Sequence, residues 1–582
     1  MTLGNFLRHN RWHLAAAAFL LALTVFLGVR AADEDRWSDW GFGDAQTMLS
    51  LRQWEEGGWL DNYLLFIPQG YAAAIRHLDD PELRHHAHGT SPSSSPRVGP
   101  RLWYTHYPPG YLVPYALLFR LGIDGMPAAR LLSVGFSIAA LTLLFVFVCR
   151  LCAPPVAFLG ALVYGLSPSY LGFADSLANQ PLDDLLRFGF LLCIVYSTRA
   201  DTPRARFRWA AAAWGAEFCL SLSSFDSVFF LYTWLIGWDL LEGRGFRWRR
   251  YLLFSLAPLS AHGLQFLQNA WYLGAGTAWV DILDTFVLKT AARQAEGPLA
   301  TMWGSLLLVL QRLTGPPGLL GGLVLLYVGY RSLGRLDGDR ETPSLGLLGV
   351  LFLCGLALVV ILPHAARMPY QGRQMGPFAA VLVGGLLYSL VRTARDLLRP
   401  EGRGRVPWRD GVRMGFLLAG APAMFIFFVF FAAMDRWAVY NIPLHDPDVR
   451  LAKELPTLPT AHEPIYFDIQ GFRTFWDPAY MPGYPQIMPL LEYYAGSRPI
   501  LCFSSAPGLI TDLKTLATKA PARFSPVLVA SDKDFLHSIV RSLIGAGILL
   551  KEPPGAYPVA GRFVVDLTEY MNWEGDASGS DS

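Results

Sequence analysis

The chain has 582 residues, of which 53% are hydrophobic and only 16% are charged, and its mean hydropathy is +0.31. A soluble chain of this length normally carries more charge and fewer apolar residues, so the composition predicts a membrane protein. The formal net charge of +2 is too small to indicate nucleic acid or another polyanion as a partner.

Apolar runs recur along the first 434 residues, and several approach the ~20 residues with which a helix crosses a ~30 Å hydrocarbon core. The clearest runs cover 14–29, 131–148, 156–171, 345–362 and 416–431. The runs at 109–121 and 299–313 are short for a span, and we expect about 11 to 13 crossings in all. No clear small-residue cleavage site follows the first run, so we interpret it as a retained anchor.

Basic clusters set the predicted orientation, because short loops rich in Lys and Arg stay on the cytoplasmic side. Four such clusters separate the apolar runs, at 204–208, 244–250, 331–340 and 392–413. Placing them inside makes the N-terminus cytoplasmic and puts the first loop and everything after about residue 434 outside. We therefore expect a multi-pass protein of the plasma or inner membrane with an extracytoplasmic C-terminal region.

The first outer loop, 31–107, carries many carboxylates and aromatic rings. Within it, Asp44 opens a pattern in which Met48, Leu51 and Trp54 recur at three-residue spacing, which predicts a helix that ends at Gly57-Gly58. Asp44 suits the N-cap of that helix. A capping carboxylate can also face a site, so the structural and the chemical roles are compatible.

A second acidic cluster, Asp175, Asp183 and Asp184, precedes the apolar run that begins near Leu185. Two roles stay open for Asp183. Its carboxylate could bind a substrate, or it could stabilise the N-terminus of the helix that follows Pro181, where negative charge is favoured.

The segment 363–375 lies outside by the charge rule, yet it contains Arg367 and Arg373. The guanidinium fork matches phosphate oxygens, so both residues are candidates for binding a phosphate group. Arginines that extend to lipid headgroups are the alternative. Because no acidic pair has convincing metal-ligand spacing, we assign no metal and no cofactor.

Three stretches of the first loop, 43–50, 54–60 and 105–111, resemble the first outer loop of the GT-C class of glycosyltransferases. The closest resemblance is to the branch that holds the protein O-mannosyltransferases and the lipid A aminoarabinose transferases, and it covers roughly residues 1–434. It implies a mainly α, polytopic transmembrane bundle that moves a sugar from a polyprenyl-phosphate carrier to an acceptor hydroxyl on the extracytoplasmic face. The acceptor could be protein, lipid or glycan.

The resemblance also implies roles for single residues. In this class an aspartate after the first helix is the catalytic base or orients the acceptor, and a Lys-Pro-Pro-Leu-type motif lies where the lipid phosphate binds. These roles carry over to Asp44 and to Tyr107 with the two prolines after it. The usual acidic neighbour is Ala45 here and the lysine is Tyr107, which leaves His106 as the nearest cationic candidate.

Further roles follow from the same resemblance. Related transferases often have an aspartate where Asp183 stands, and Arg367 and Arg373 are then candidates for the lipid phosphate. Attack by a hydroxyl deprotonated by Asp44 would invert the anomeric centre.

The region 435–582 differs in composition from the membrane part, 1–434, and predicts a small α/β domain. Short β-rich runs cover 465–469, 499–503, 527–530 and 563–565, and the runs 507–518 and 533–546 have helical patterns. The last residues, 574–582, are small and polar, so we expect them to be disordered.

Two other functions stay open. A transporter or flippase for lipid-linked saccharides would need charged groups inside spans, for which Glu217 and Asp239 are the clearest candidates. An inactive GT-C-like assembly subunit is the other alternative, and the departures at Ala45 and Tyr107 favour it.

Overall fold

A computed structural model gives the fold. It describes the following residues, to which all structural statements refer: 3–33, 41–69, 102–105, 107–290, 297–314, 317–333, 341–363, 366, 369–398, 407–440, 447–454, 465–468, 488–495, 500–503, 505–519, 526–553, 556–559, 562–567 and 570–571. The expected disorder of 574–582 falls outside these residues.

The described part of the chain is mainly helical. Its helices are α1 Leu3–Ala32, α2 Gly41–Gly57, α3 Val113–Arg120, α4 Met126–Leu151, α5 Pro154–Gly165, α6 Pro168–Leu171, α7 Gln180–Arg199, α8 Pro203–Ser221, α9 Ser227–Leu241, α10 Trp248–Leu273, α11 Ala275–Lys289, α12 Pro298–Thr314, α13 Pro317–Leu333, α14 Leu345–Ile361, α15 Gly376–Leu398, α16 Pro407–Tyr440, α17 Pro447–Glu454, α18 Met488–Ala495, α19 Ala506–Lys519 and α20 Lys533–Gly545. The strands are β1 Phe66–Gln69, β2 Leu102–Tyr104, β3 Ile465–Asp468, β4 Ile500–Phe503, β5 Val527–Ala530, β6 Tyr557–Val559 and β7 Arg562–Asp566.

The chain forms two compact units, each built from three segments. The helical unit comprises Met1–Trp40, Tyr107–Leu267 and Leu283–Ile442, and the mixed unit comprises Gly41–His106, Gln268–Ile282 and Pro443–Ser582. The mixed unit therefore takes in most of the first loop and a segment near residue 275, both of which the sequence analysis assigned to the membrane part.

Local chemistry explains where several helices of the helical unit begin. Proline stands in the first turn of α4, α5, α7 and α8, where its missing N–H costs no hydrogen bond. Side-chain oxygens cap other starts: Ser167 accepts from the Tyr170 N–H, Thr202 from that of Ala205, and Ser344 from that of Leu347.

Four described helical stretches are long and apolar enough to cross a membrane: Asn10–Ala32, Met126–Leu151, Gly372–Leu398 and Gly411–Phe430. Shorter apolar helices cover Pro154–Gly165, Ser227–Leu241, Pro298–Gln311 and Leu345–Ile361. The run 109–121 forms the short helix Pro109–Leu112 and then α3, whose eight residues rise only about 12 Å, and the two together are too short to span a bilayer. The protein is a mainly α, polytopic membrane protein, as the apolar runs and the resemblance to the GT-C class predict; the number of crossings stays a prediction.

Helices α5 and α15 approach each other through glycine. A Cβ at Gly384 would lie 2.7 Å from the carbonyl oxygen of Val156, and one at Gly160 would lie 3.1 Å from that of Ala380. Small residues let two helix backbones meet closely, which is how helices associate in lipid. This contact fixes the start of α15 within the helical unit.

The mixed unit contains a five-stranded sheet in the order β4-β3-β5-β7-β6. Strand β3 pairs in parallel with β4 and β5, whereas β7 pairs antiparallel with β5 and β6. Helices α19 and α20 contribute Leu509, Leu513, Leu536 and Leu543 to a core with residues of the sheet. The strands and helices predicted for the tail are all present, and β6 is an additional strand.

Candidate functional site

A buried carboxylate in the first turns of α7 organises the centre of the helical unit. Asp184 accepts hydrogen bonds from Arg187 Nη1 at 2.6 Å, from Arg373 Nε at 2.8 Å and from the Tyr164 hydroxyl at 2.7 Å. All four side chains are buried. Charge-assisted bonds of this kind are the stronger class of hydrogen bond, so Asp184 holds the two arginines in fixed positions.

The neighbouring carboxylate, Asp183, belongs to a second network. Asn179 Nδ2 donates to Asp183 Oδ2 at 2.7 Å and to the Tyr107 hydroxyl at 3.0 Å. The other oxygen of Asp183, Oδ1, is buried and has no hydrogen-bond partner among the described residues. The loop residue Tyr107 is therefore tied to the start of α7 through Asn179.

The two networks border one small cavity in the helical unit. It is lined by Asn179, Gln180, Asp183, Asp184, Arg187, Ser224, Arg373 and Gln374. In the described part of the chain, Asp183 Oδ1, Arg187 Nε and Arg373 Nη1 are buried polar atoms without partners. A buried polar group left without a hydrogen bond costs about 1 to 3 kcal/mol. A ligand with both donor and acceptor groups would satisfy these atoms.

Backbone geometry explains why the Pro-Pro-Gly segment holds Tyr107 in place. The Gly110 N–H donates to the carbonyl oxygen of Leu222 at 2.8 Å, and a Cβ at position 110 would lie only 2.4 Å from that oxygen. Only glycine permits this approach. The short helix Pro109–Leu112 is thereby fixed, at Gly110, to Leu222 at the end of α8; Gly110 lies three residues beyond Tyr107.

The connection before α7 is anchored by a buried ion triad. Asp175 pairs with Arg30 of α1 and with Arg130 of α4, and Arg30 Nη2 also donates to the carbonyl oxygen of Leu171 at 2.7 Å. Burial alone would raise the pKa of Asp175, but the two arginines outweigh it and lower that pKa below its ordinary value. The triad fixes the chain that leads into Asn179 and Asp183.

Asp44 lies in the mixed unit and is fully buried in the first turn of α2. The helix begins at Gly41, so the interpretation of Asp44 as an N-cap is wrong: the residue is the fourth of the helix. The helix dipole favours a carboxylate throughout the first turn, so the sequence pattern could not distinguish the N-cap from the fourth residue of α2. Met48, Leu51 and Trp54 are buried, as their spacing predicts.

The end of the first loop is held by polar contacts within the mixed unit. The Thr105 hydroxyl donates to Asp281 Oδ2 at 2.6 Å, and Asn269 Nδ2 donates to the carbonyl oxygen of Thr105 at 3.1 Å. The loop thus ends on the segment Gln268–Ile282, which explains why that segment belongs to the same unit.

Two of the six predicted site residues, Asp183 and Arg373, line the cavity, and a third, Tyr107, accepts a hydrogen bond from the lining residue Asn179. Asp44 lies in the other unit, and His106 and Arg367 fall outside the described residues. Asn179 and Arg187 also line the cavity and were not predicted from the sequence. Their spacing gave a signal, because residues three or four apart face each other along a helix: Arg187 lies one turn after Asp184, and Asn179, at the N-cap of α7, lies four residues before Asp183.

The two acids that a transporter would use differ in their surroundings. Asp239 is paired with Arg250. Glu217 is buried in α8, and neither of its carboxylate oxygens has a partner among the described residues. The part of the chain that the structure describes holds no group of three or more His, Cys, Asp or Glu side chains that could bind a metal ion.

Comparison of this fold with solved structures finds membrane transferases. The apo structure of ArnT from Cupriavidus metallidurans aligns with a TM-score of 0.50 and 15% identity, over 94% of this chain and 97% of ArnT. ArnT bound to undecaprenyl phosphate gives a TM-score of 0.49 and 15% identity, over 96% and 98%. The Archaeoglobus fulgidus oligosaccharyltransferase in its apo form aligns with a TM-score of 0.47 and 10% identity, over 89% of this chain and 69% of that one.

No protein-family model and no curated protein matches the chain. The likeness to ArnT extends over nearly the whole of both chains, and at 15% identity it shows the fold. The resemblance to the GT-C class that the first loop indicated is confirmed at this level.

Proposed function

We propose that this protein is a membrane glycosyltransferase that moves a sugar from a polyprenyl-phosphate carrier to an acceptor hydroxyl on the extracytoplasmic face. One observation carries the proposal: within a GT-C-like fold, Asp183, Arg187 and Arg373 line a cavity with polar atoms that have no partners among the described residues. The cavity has a volume of only about 10 Å³, so these atoms are suited to one polar group of a sugar phosphate, such as a phosphate oxygen or a hydroxyl.

The arginines are the proposed phosphate-binding groups. Arg373 keeps Nη1 available while its Nε is bonded to Asp184, so the guanidinium is held in one orientation and can still donate to a phosphate oxygen. The proposed set also includes His106 and Tyr107, from the stretch 105–111, and Arg367, from the segment 363–375 that contains Arg373. ArnT, with which the chain shares its fold, binds undecaprenyl phosphate, and a carrier of this class is the proposed donor here.

Asp44 is the proposed base. Its carboxylate takes the proton of the acceptor hydroxyl while the hydroxyl oxygen bonds to the anomeric carbon, and the bond from that carbon to the phosphate oxygen breaks. Polyprenyl phosphate leaves with the electron pair, and Arg373 balances the charge that develops on it. Attack opposite the leaving group inverts the anomeric centre. Asp183 is the proposed acceptor-binding group.

Complementation of a gene deletion tests the proposed base. Cells that lack the gene should accumulate a polyprenyl-linked sugar, detected by mass spectrometry of the lipid extract. Asp44→Asn, which keeps the shape of the side chain, should fail to remove that lipid, with transfer reduced about 100-fold to 10,000-fold. Asp61→Asn is the matched control, because Asp61 is an exposed carboxylate of the same loop.

The outcomes separate the candidate functions. If Asp44→Asn removes the lipid as fast as the unaltered protein, Asp44 is not the base. If the unaltered protein moves the carrier across the membrane and forms no glycosidic bond, the protein is a flippase. Either conclusion requires that the variants and the unaltered protein be present in equal amounts in the membrane fraction.

A further inference from the structure

A second cavity of the helical unit lies at the other end of α7, away from Asp183 and Asp184. Its volume is about 990 Å³, and its lining includes residues from the end of α7, the first half of α8 and the first turns of α10. Helix α7 ends at Arg199, α8 begins at Pro203, α9 ends at Leu241 and α10 begins at Trp248. Two helix ends and two helix starts therefore meet at this end of the unit.

Contacts among the connections hold the rim of the cavity in place. Arg199 pairs with Glu242 across the ends of α7 and α9, and Arg244 donates to the carbonyl oxygen of Thr198. Arg250 pairs with Asp239. These contacts pair Glu242 and Asp239 with arginines at the rim.

The lining is strongly basic. Five arginines line the cavity, namely Arg206, Arg244, Arg247, Arg249 and Arg250, and no Asp or Glu stands among its lining residues. Among the described residues, no carboxylate pairs with Arg206, Arg247 or Arg249. A concave surface that collects positive charge in this way attracts an anion.

The apolar part of the same cavity indicates what kind of anion the cavity would bind. Leu253 and Leu256 of α10 line it, and both are exposed, at 61% and 52% of their surface. The aromatic rings of Phe207, Phe246 and Trp248 are exposed at its rim. Aromatic rings next to arginines mark the headgroup level of a membrane, and exposed leucines beyond them suit an acyl chain.

We propose that this cavity binds an anionic phospholipid, with the phosphate headgroup among Arg206, Arg247 and Arg249 and an acyl chain along the exposed leucines of α10. By the charge rule this end of the unit faces the cytoplasm, where anionic lipid headgroups are recognised by basic pockets between helices. The site is separate from the proposed transferase site, and it shares no residue with it.

Native mass spectrometry of the full-length protein in detergent tests the proposal, with phosphatidylglycerol as the probe and phosphatidylcholine as its zwitterionic counterpart. We expect one phosphatidylglycerol to bind at least about tenfold more tightly than phosphatidylcholine. R247Q/R249Q should weaken phosphatidylglycerol binding about thirtyfold, since each arginine near a headgroup contributes roughly fivefold. R247K/R249K keeps both charges and should retain most of the affinity.

The matched control is R204Q/R208Q, which removes the same charge from exposed positions of α8 that do not line the cavity. It should leave the affinity within about twofold of the unaltered protein. Equal binding of the two lipids, or an equal loss in R204Q/R208Q, would overturn the proposal. So would displacement of the lipid by millimolar inorganic phosphate, because the site would then recognise a soluble anion. The comparisons among phosphatidylglycerol, phosphatidylcholine and inorganic phosphate use the unaltered protein, so they still test the proposal if R247Q/R249Q does not fold.

Discussion

Arg373 and Asp184 form a buried ion pair although 189 residues separate them in the chain, with Arg373 Nε 2.8 Å from Asp184 Oδ2. The pair joins the short helix Pro369–Met375 to the start of α7. Asp184 also accepts from Arg187 and Tyr164, so three elements meet on one carboxylate. The shape of the candidate site therefore depends on Asp184, which we do not assign to the chemistry itself.

Asp184→Asn should lower the free energy of unfolding by about 3 to 5 kcal/mol, because it leaves two buried guanidinium groups without a counter-charge. Glu242→Gln is the matched control. Its partner Arg199 is 47% exposed, and breaking such a pair costs at most about 1 kcal/mol. Denaturant unfolding in detergent measures both values. Equal losses in the two variants would show that the Asp184 network does not stabilise the fold.

Arg373→Lys should retain the charge beside Asp184 but lose the planar fork that we propose for the phosphate. We expect the KM for the lipid-linked donor to rise about tenfold or more, with a smaller change in kcat. Arg373→Met, which removes the charge, should abolish measurable transfer. A Met variant with the KM of the unaltered protein would exclude Arg373 from donor binding.

Asp175 should make the stability depend on pH in the acid range. Its pKa is lowered in the folded protein by Arg30 and Arg130, so the unfolded chain takes up a proton at a higher pH than the folded one. The stabilisation is complete above the ordinary value of about 4, and it is lost as the pH falls from there through the lowered pKa. Thermal unfolding of the unaltered protein and of Asp175→Asn between pH 7 and pH 3 measures this.

The difference in stability between the unaltered protein and Asp175→Asn should follow the protonation of Asp175. The two proteins should differ by a constant free energy above about pH 5 and approach each other below about pH 4. A difference that is the same at pH 3 as at pH 7 would contradict the assignment.

Gly110→Ala should destabilise the helical unit by about 1 to 3 kcal/mol, because the new Cβ would meet a backbone oxygen that cannot move away freely. Tyr107 should shift with the segment, and transfer should fall with it. Gly135→Ala is the control, since nothing lies within 4 Å of a Cβ at that position of α4. Alanine there should stabilise the helix by up to about 1 kcal/mol. Equal thermal stability of the two variants would argue against the close approach at Gly110.

The elements that were predicted correctly, such as β5 and α2, are those with a clear local pattern of apolar residues. Strand β5 reads Val-Leu-Val-Ala and is buried along its whole length, which is the apolar run of a central strand. In α2, the three-residue spacing of Met48, Leu51 and Trp54 marks the buried face of the helix. In both cases the spacing of apolar residues within one element indicates whether it is a strand or a helix, and that spacing can be read from a short stretch of sequence.

Long-range pairs explain what the sequence analysis missed. Arg30, Arg130 and Asp175 come from three separate parts of the chain, and nothing near Asp175 in the sequence indicates its partners. The mixed unit is a similar case: Arg52 of α2 lies over the ring of Tyr493 of α18, 4.2 Å from its centroid, and donates to the Tyr493 carbonyl oxygen. Contacts over hundreds of residues have no periodic signature.

The three-segment composition of the mixed unit also sets an order of events during synthesis. Ribosomes make proteins from the N-terminus, and α2 emerges more than 400 residues before α18, against which it packs. The packing of α2 around Arg52 therefore cannot be complete until nearly the whole chain has been translated. A nascent chain stalled before residue 488 would hold inserted membrane helices and a complete α2 that still lacks α18, its packing partner in the mixed unit.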